Sequence, residues 1–155
     1  LNGGLTLKSL GELAKKHFPA RPTGYGYIWS VLFSELADKS IDKSQWVLMT
    51  RDILPGSRNK SYGEQQKIVA DLAEKSLINY EVPETLEFAT CILSQYVGAN
   101  MRLFSDNPWT YTRCQENIQG YQAIVGGFSL KGLDVNCSFC GGASDKCGIA
   151  ALRKF

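Results

Sequence analysis

The carboxyl-terminal third of this chain, WTYTRCQENIQGYQAIVGGFSLKGLDVNCSFCGGASDKCGIAALRKF, constrains the fold more than any other stretch. An aromatic–threonine run (Trp109–Glu116) opens it, and two alternating runs follow, Tyr121–Phe128 and Leu133–Phe139. Alternation with period two between glycine breaks predicts an antiparallel meander. A tract of small residues, Cys140–Cys147, comes next, and an apolar run, Gly148–Phe155, is expected as a closing strand. From Asp134 to Gly148 the residues are mostly small and polar, or cysteine. Such side chains bury little apolar area, so a core gains little from them. A surface that must carry changing side chains has no such requirement.

The elements before this region read as helices and one short strand. Leu5, Leu7, Leu10, Leu13 and Ala14 recur at helical spacing, which predicts a helix from about Leu7 to His17, capped near Thr6 and stopped before Pro19. His17, the one histidine, reads as a solvated helix-end residue. Arg21–Tyr27 reads as a turn and Ile28–Ala37 as a helix. Trp46–Thr50 is expected to be a buried strand, and Arg51–Lys60 a loop around Pro55-Gly56. Ser61 and Glu64 form a capping-box pair for a helix whose inward face is Ile68, Val69, Leu72 and Ala73. Pro83 is expected in the first turn of a second helix, Glu84–Val97, ended by Gly98. Met101–Phe104 reads as a brief strand, and Ser105–Pro108 as a turn. The order predicts an α+β fold, two main helices packed on a twisted antiparallel sheet. With 155 residues it is expected to be one domain (1–155), in which residues 1–40 are a helical extension offering a homo-oligomer contact.

Composition narrows the function classes. A net charge of +2 without a basic stripe gives no sign of nucleic-acid binding. No apolar run reaches the roughly 20 residues of a membrane span, and no signal peptide is visible. Gly126-Gly127 and Gly141-Gly142 precede no helix and no Gly-Lys-Ser/Thr, so they read as bulge or turn glycines. One distant histidine makes no catalytic triad, and no catalytic residue is assigned. Of five cysteines, Cys137, Cys140 and Cys147 crowd the small-residue tract. Zinc would need a fourth ligand, and the candidates are remote His17 or Cys114. A disulfide among the three is a second option and free thiols are the default, so no metal or cofactor is assigned.

Five phrases in order carry a resemblance: Trp46–Thr50 leading to a helix, Tyr80-Glu81-Val82-Pro83 opening the next, Trp109–Arg113, Gly126–Phe128, and Gly148-Ile149-Ala150-Ala151-Leu152-Arg153 near the end. Together they resemble the formylglycine-generating-enzyme-like branch of the C-type lectin fold. Within it the tail resembles the variable proteins of diversity-generating retroelements. There a reverse transcriptase randomises adenines in a carboxyl-terminal cassette, often in AAC codons. Changes at those two adenines never yield Lys, Glu, Gln, Trp or Met. From Asp134 to Cys147 only Lys146 falls outside the reachable set, while Gln115, Glu116, Gln119, Gln122 and Lys131 would be scaffold.

The resemblance implies a non-enzymatic receptor-type protein, displayed on a virion or cell surface, that binds a protein or cell-surface ligand through a variable region within residues 109–155. The contact residues it implies are Asn136, Ser138, Cys140, Gly141, Ala143, Ser144, Asp145 and Cys147, with Tyr111, Arg113 and Asn117 in second rank. Val135, Cys137 and Phe139 are expected to point inward. The alternatives are a formylglycine-generating-type oxidase using Cys140 and Cys147 with a metal, and a structural viral tail protein.

Overall fold

The computed structural model describes Leu1 and residues 4–155. Among these are four helices: α1 (Leu7–Ala14), α2 (Ser30–Leu36), α3 (Tyr62–Ser76) and α4 (Thr85–Ala99). Strands β1 (Tyr27–Ile28), β3 (Tyr111–Ile118), β4 (Tyr121–Ser129), β5 (Gly132–Phe139) and β6 (Cys147–Gly148) form one sheet in the order β1-β5-β4-β3-β6. Strands β2 (Val47–Met49) and β7 (Leu152–Lys154) form a separate antiparallel ribbon.

The expected meander is present as β3-β4-β5, but the sheet is mixed. β1 runs parallel to β5, and β6 parallel to β3. The expected closing strand is split. Residues 149–151 leave the sheet after β6, and strand pairing resumes at Leu152, with β2 on one side and a single bridge to Glu81 on the other. Ile149, Ala150 and Ala151 are fully buried, so the break lies inside the protein.

One face of the sheet meets the helices. Cys114, Ala123, Val125, Leu133 and Val135 pack there with Phe88, Ala89 and Ile92 of α4, and with Leu7 and Leu10 of α1 and Leu32 and Leu36 of α2. Within the stretch read as a helical extension, Leu7, Leu10, Leu32 and Leu36 therefore belong to the core. Tyr25 is buried, and its hydroxyl donates to the Leu7 carbonyl at 2.7 Å, which meets the need of that polar tip. Outside this core, α1 and α4 leave an open apolar groove of about 490 Å³ that includes Leu13 and Val97.

Several local expectations change. β2 is a half-exposed ribbon strand rather than a buried one, with Trp46 and Leu48 facing solvent. Residues 101–104 form no strand; Phe104 adopts a left-handed φ of 51° and only Ser105 bridges to Phe128. Pro83 lies just before the N-cap of α4, Glu84, and the helix runs past Gly98 to a left-handed Asn100. In α3 only Gln65 and Val69 are buried, because this helix covers the edge of the structure rather than its centre.

Candidate functional site

The other sheet face carries the candidate site. Alternation along paired strands puts Tyr111 and Arg113 of β3, Ile124 of β4, and Asp134, Asn136 and Ser138 of β5 on this face. The chain leaves β5 at Phe139 and reaches β6 on the far side of β3, so residues 140–146 cross this face. The sequence explains how. Ser61 caps α3, accepting from the Glu64 N–H at 3.4 Å while Glu64 accepts from the Ser61 N–H at 2.7 Å. The first free amide of the helix, on Tyr62, is thus available for the loop.

Arg113 organises the crossing. It has no exposed surface. Its guanidinium donates to the carbonyls of Lys60 (2.8 Å), Gly142 (2.5 Å) and Phe139 (3.4 Å), to Gln65 Oε1 (2.9 Å) and to Ser138 Oγ (3.4 Å). Among the described residues no carboxylate pairs with it, and its Nε has no partner. Burial lowers its pKa from the ordinary arginine value. Five donors in a rigid fork let one side chain tie together four separate segments, which lysine cannot do.

The loop is held by its main chain. The carbonyls of Phe139 and Gly142 accept from Arg113, that of Cys140 from Tyr62 N (3.0 Å), and that of Ser144 from Asn59 N (3.0 Å). The Asp145 carbonyl accepts from Arg58 (2.5 Å), that of Lys146 from Tyr111 N (2.8 Å), and that of Cys147 from Gln65 Nε2 (3.2 Å). Each of these donors belongs to a residue outside the loop; within it, Gly142 N also donates to the Phe139 carbonyl (3.1 Å) and Cys147 N to that of Ser144 (3.4 Å). Gly141, Ala143, Asp145 and Lys146 are exposed, and Cys140, Gly142 and Ser144 half-buried. Neither loop glycine has the left-handed φ that demands glycine. A Cβ on Gly141 would meet only the exposed Phe139 ring, at 3.3 Å. By contrast, a Cβ on Gly126 of β4 would lie 2.2 Å from the Thr110 carbonyl oxygen, and Gly126 marks the bulge expected of it.

The implied contact residues divide accordingly. Gly141, Ala143 and Asp145 are exposed, while Asn136, Ser138, Cys140 and Ser144 are half-buried around the crossing. Tyr111 is half-buried beside them, and its hydroxyl donates to Asp134 Oδ2 at 3.1 Å. Burial raises the pKa of both groups, and for Tyr111 the neighbouring carboxylate adds to the rise. Asn117 is exposed at the β3–β4 turn, where its side chain accepts from Gly120 N at 3.0 Å. Two residues are not surface groups. Arg113 is the buried clamp, and Cys147 is 4% exposed with its thiol pKa pushed up by burial. Of the three residues expected inside, Val135 is buried, Cys137 half-buried, and Phe139 is 63% exposed. The inward face runs beyond the helices at this end of β5, so Phe139 lies against Tyr121 (6.4 Å between ring centres), itself edge-on to Trp29.

Beside the loop is an open cleft of about 510 Å³, lined by Arg58, Asp106, Asn107, Pro108, Trp109, Asp145 and Lys146. Trp109 stacks parallel to Tyr111 at 6.1 Å and is 43% exposed. This gives the small-residue surface an aromatic neighbour of the kind that anchors interfaces. Sequence reasoning missed Arg58, Asn59, Tyr62 and Gln65 as loop supports. Their one signal was the capping box, which places an open helix start and its preceding loop at Ser61.

All five cysteines are free thiols. Among the described residues, no three His, Cys, Asp or Glu side chains gather as metal ligands would. No helix among them is long and apolar enough to cross a membrane. Comparison with family models, curated proteins and solved structures returns no match.

Proposed function

We propose that this protein is a receptor-type binding module on a C-type lectin-like scaffold, of the kind whose carboxyl-terminal region a diversity-generating retroelement varies. The single observation that carries this reading is the way the 139–147 crossing is held. Its carbonyls are bonded by scaffold donors while most of its side chains face outward. Main-chain bonds do not depend on which side chain a residue carries, so the loop keeps its path as its residues change. Exposed substitutions commonly shift stability by under about 0.5 kcal/mol.

The contact surface is then Asn136, Ser138, Cys140, Gly141, Ala143, Ser144 and Asp145, flanked by Tyr111 and Trp109 and, at the turn, Asn117. Arg113 and Cys147 support it from below. The partner is a protein or cell-surface ligand, met on a virion or cell surface. This copy offers few large side chains in the loop, so affinity depends on the aromatic flank.

Sequencing independent copies of the gene from its source population tests the reading. The expected result is variation confined to adenine positions of codons for the outward residues, with an unvaried template repeat beside a reverse-transcriptase gene. Variation scattered evenly over residues 1–155 would overturn it.

A further inference from the structure

The groove between α1 and α4 is a second surface, on the helical side of the molecule and independent of the receptor reading. It encloses about 490 Å³, within the range of pockets that hold small molecules. Leu13 and Ala14 line it from α1, and Leu93 and Val97 from α4. Leu13 is 54% and Val97 60% exposed, whereas Ala14 and Leu93 are buried, so the groove is apolar from its rim inward. Phe18 and Tyr96 also line it. Their rings stack at 5.4 Å, and both pack on Phe128 of β4, at 5.8 and 5.1 Å. Rings fixed against the sheet give the groove a preformed base.

The charge around it is of one sign. Lys16 and His17 line the groove, both exposed, and no described Asp or Glu does. They stand just beyond Ala14, the last residue of α1, so the positive charge lies at one end of the wall that α1 supplies. Glu12 is held by Lys15 at 2.7 Å, which leaves Lys16 without an ion pair among the described residues. The His17 ring lies edge-on to Tyr96 at 5.9 Å, beside the aromatic base. Leu1 pairs with Gln45 and Phe155 with Trp46, and the Gln45 side chain reaches Glu87 in the first turn of α4. Val97 stands about 15 Å further along that helix, at 1.5 Å per residue.

We infer that this groove binds a straight-chain carboxylate, a free fatty acid, with its chain between α1 and α4 and its carboxylate against Lys16 and His17. Methylenes gain from leaving water for a groove of leucine, valine and aromatic rings, and they bring no polar group that needs a partner there. The one charge of such a molecule meets two basic residues and no acidic one. Because that charge pair is exposed, it sets the choice of ion more than the affinity, which comes from the buried chain.

The probes are sodium salts of straight-chain acids from hexanoate to decanoate, below micelle-forming concentrations, titrated into the full chain by calorimetry. Each added methylene is expected to tighten binding about fourfold, and the NMR signals of the Tyr96 and His17 rings should shift on binding. Decyltrimethylammonium, with the opposite charge on a chain of the same length, should bind about tenfold more weakly than decanoate. Lys16→Glu should narrow that difference. Val97→Glu, at an exposed helix position, should weaken decanoate about tenfold or more with unfolding temperature unchanged. If Val97→Glu does not fold, Lys16→Glu and the two decyl ions decide. No saturable binding of decanoate, an affinity independent of chain length, equal binding of the two decyl ions, or decanoate binding unchanged in both variants overturns the proposal. So does concentration-dependent self-association without any probe that Val97→Glu abolishes, since the occupant would then be a second copy.

Discussion

At the scale of single residues, Arg113 is the side chain on which the loop depends most. A buried guanidinium facing carbonyls has no carboxylate to offset its desolvation, and is held by hydrogen bonds alone. Replacing it strands acceptors on Lys60, Gln65 and Gly142, each costing about 1–3 kcal/mol when buried and unpaired. Arg113→Met is therefore expected to lose about 3–5 kcal/mol in urea unfolding. Proteolytic cleavage within residues 140–146 should appear before global unfolding. Arg113→Lys should recover only part of the loss, because one ammonium cannot reach the same acceptors. The resemblance implied Arg113 as a second-rank contact residue, whereas the structure buries it completely. Nothing in its neighbours revealed that a loop some thirty residues later (~30 by chain spacing) would close over it.

At the scale of elements, helix starts couple the helical side of the molecule to the sheet. Glu116 of β3 reaches the beginning of α4, accepting from Thr85 N at 3.0 Å and Thr85 Oγ1 at 2.8 Å. Burial raises its pKa above the ordinary 4.5, and those hydrogen bonds only partly oppose the rise. A carboxyl whose pKa is higher folded than unfolded binds its proton more readily in the native state. Its contribution to stability therefore falls as pH rises from the unfolded value through the folded one. Relative to Glu116→Gln, the parent chain is expected to gain stability as pH is lowered from 7 toward about 4.5. Paired urea titrations across that range check the sign, and a parent that loses ground to the variant would contradict it. The capping box of α3 and the three meander strands were legible because periodicity and capping are local signals. The parallel partners β1 and β6 were not, since each is two residues long and is paired only by distant contacts. The closing strand was misread for a related reason: Ile149, Ala150 and Ala151 are apolar because they are buried, whether or not they pair.

At the scale of the whole molecule, two kinds of position divide the labour. Cys114, Gly126, Gly148 and Ile149 are enclosed, and an added Cβ on Gly148 would lie 2.6 Å from the Ile53 side chain. Asn136, Ser138, Gly141, Ala143, Ser144 and Asp145 sit around a crossing whose path is set by other residues. The small-residue tract marked this place in the sequence, but composition alone could not separate a free loop from one with its main chain tied down. The direct measurement is a pair of libraries, one randomising those six outer positions and one the four enclosed ones, each scored for cooperative unfolding. Most members of the outer library are expected to fold, with melting temperatures within about 6 °C of the parent, and few members of the enclosed library should fold. If the outer library lost folding as often as the enclosed one, the loop would depend on its own side chains, and the claim that the scaffold holds it would be wrong.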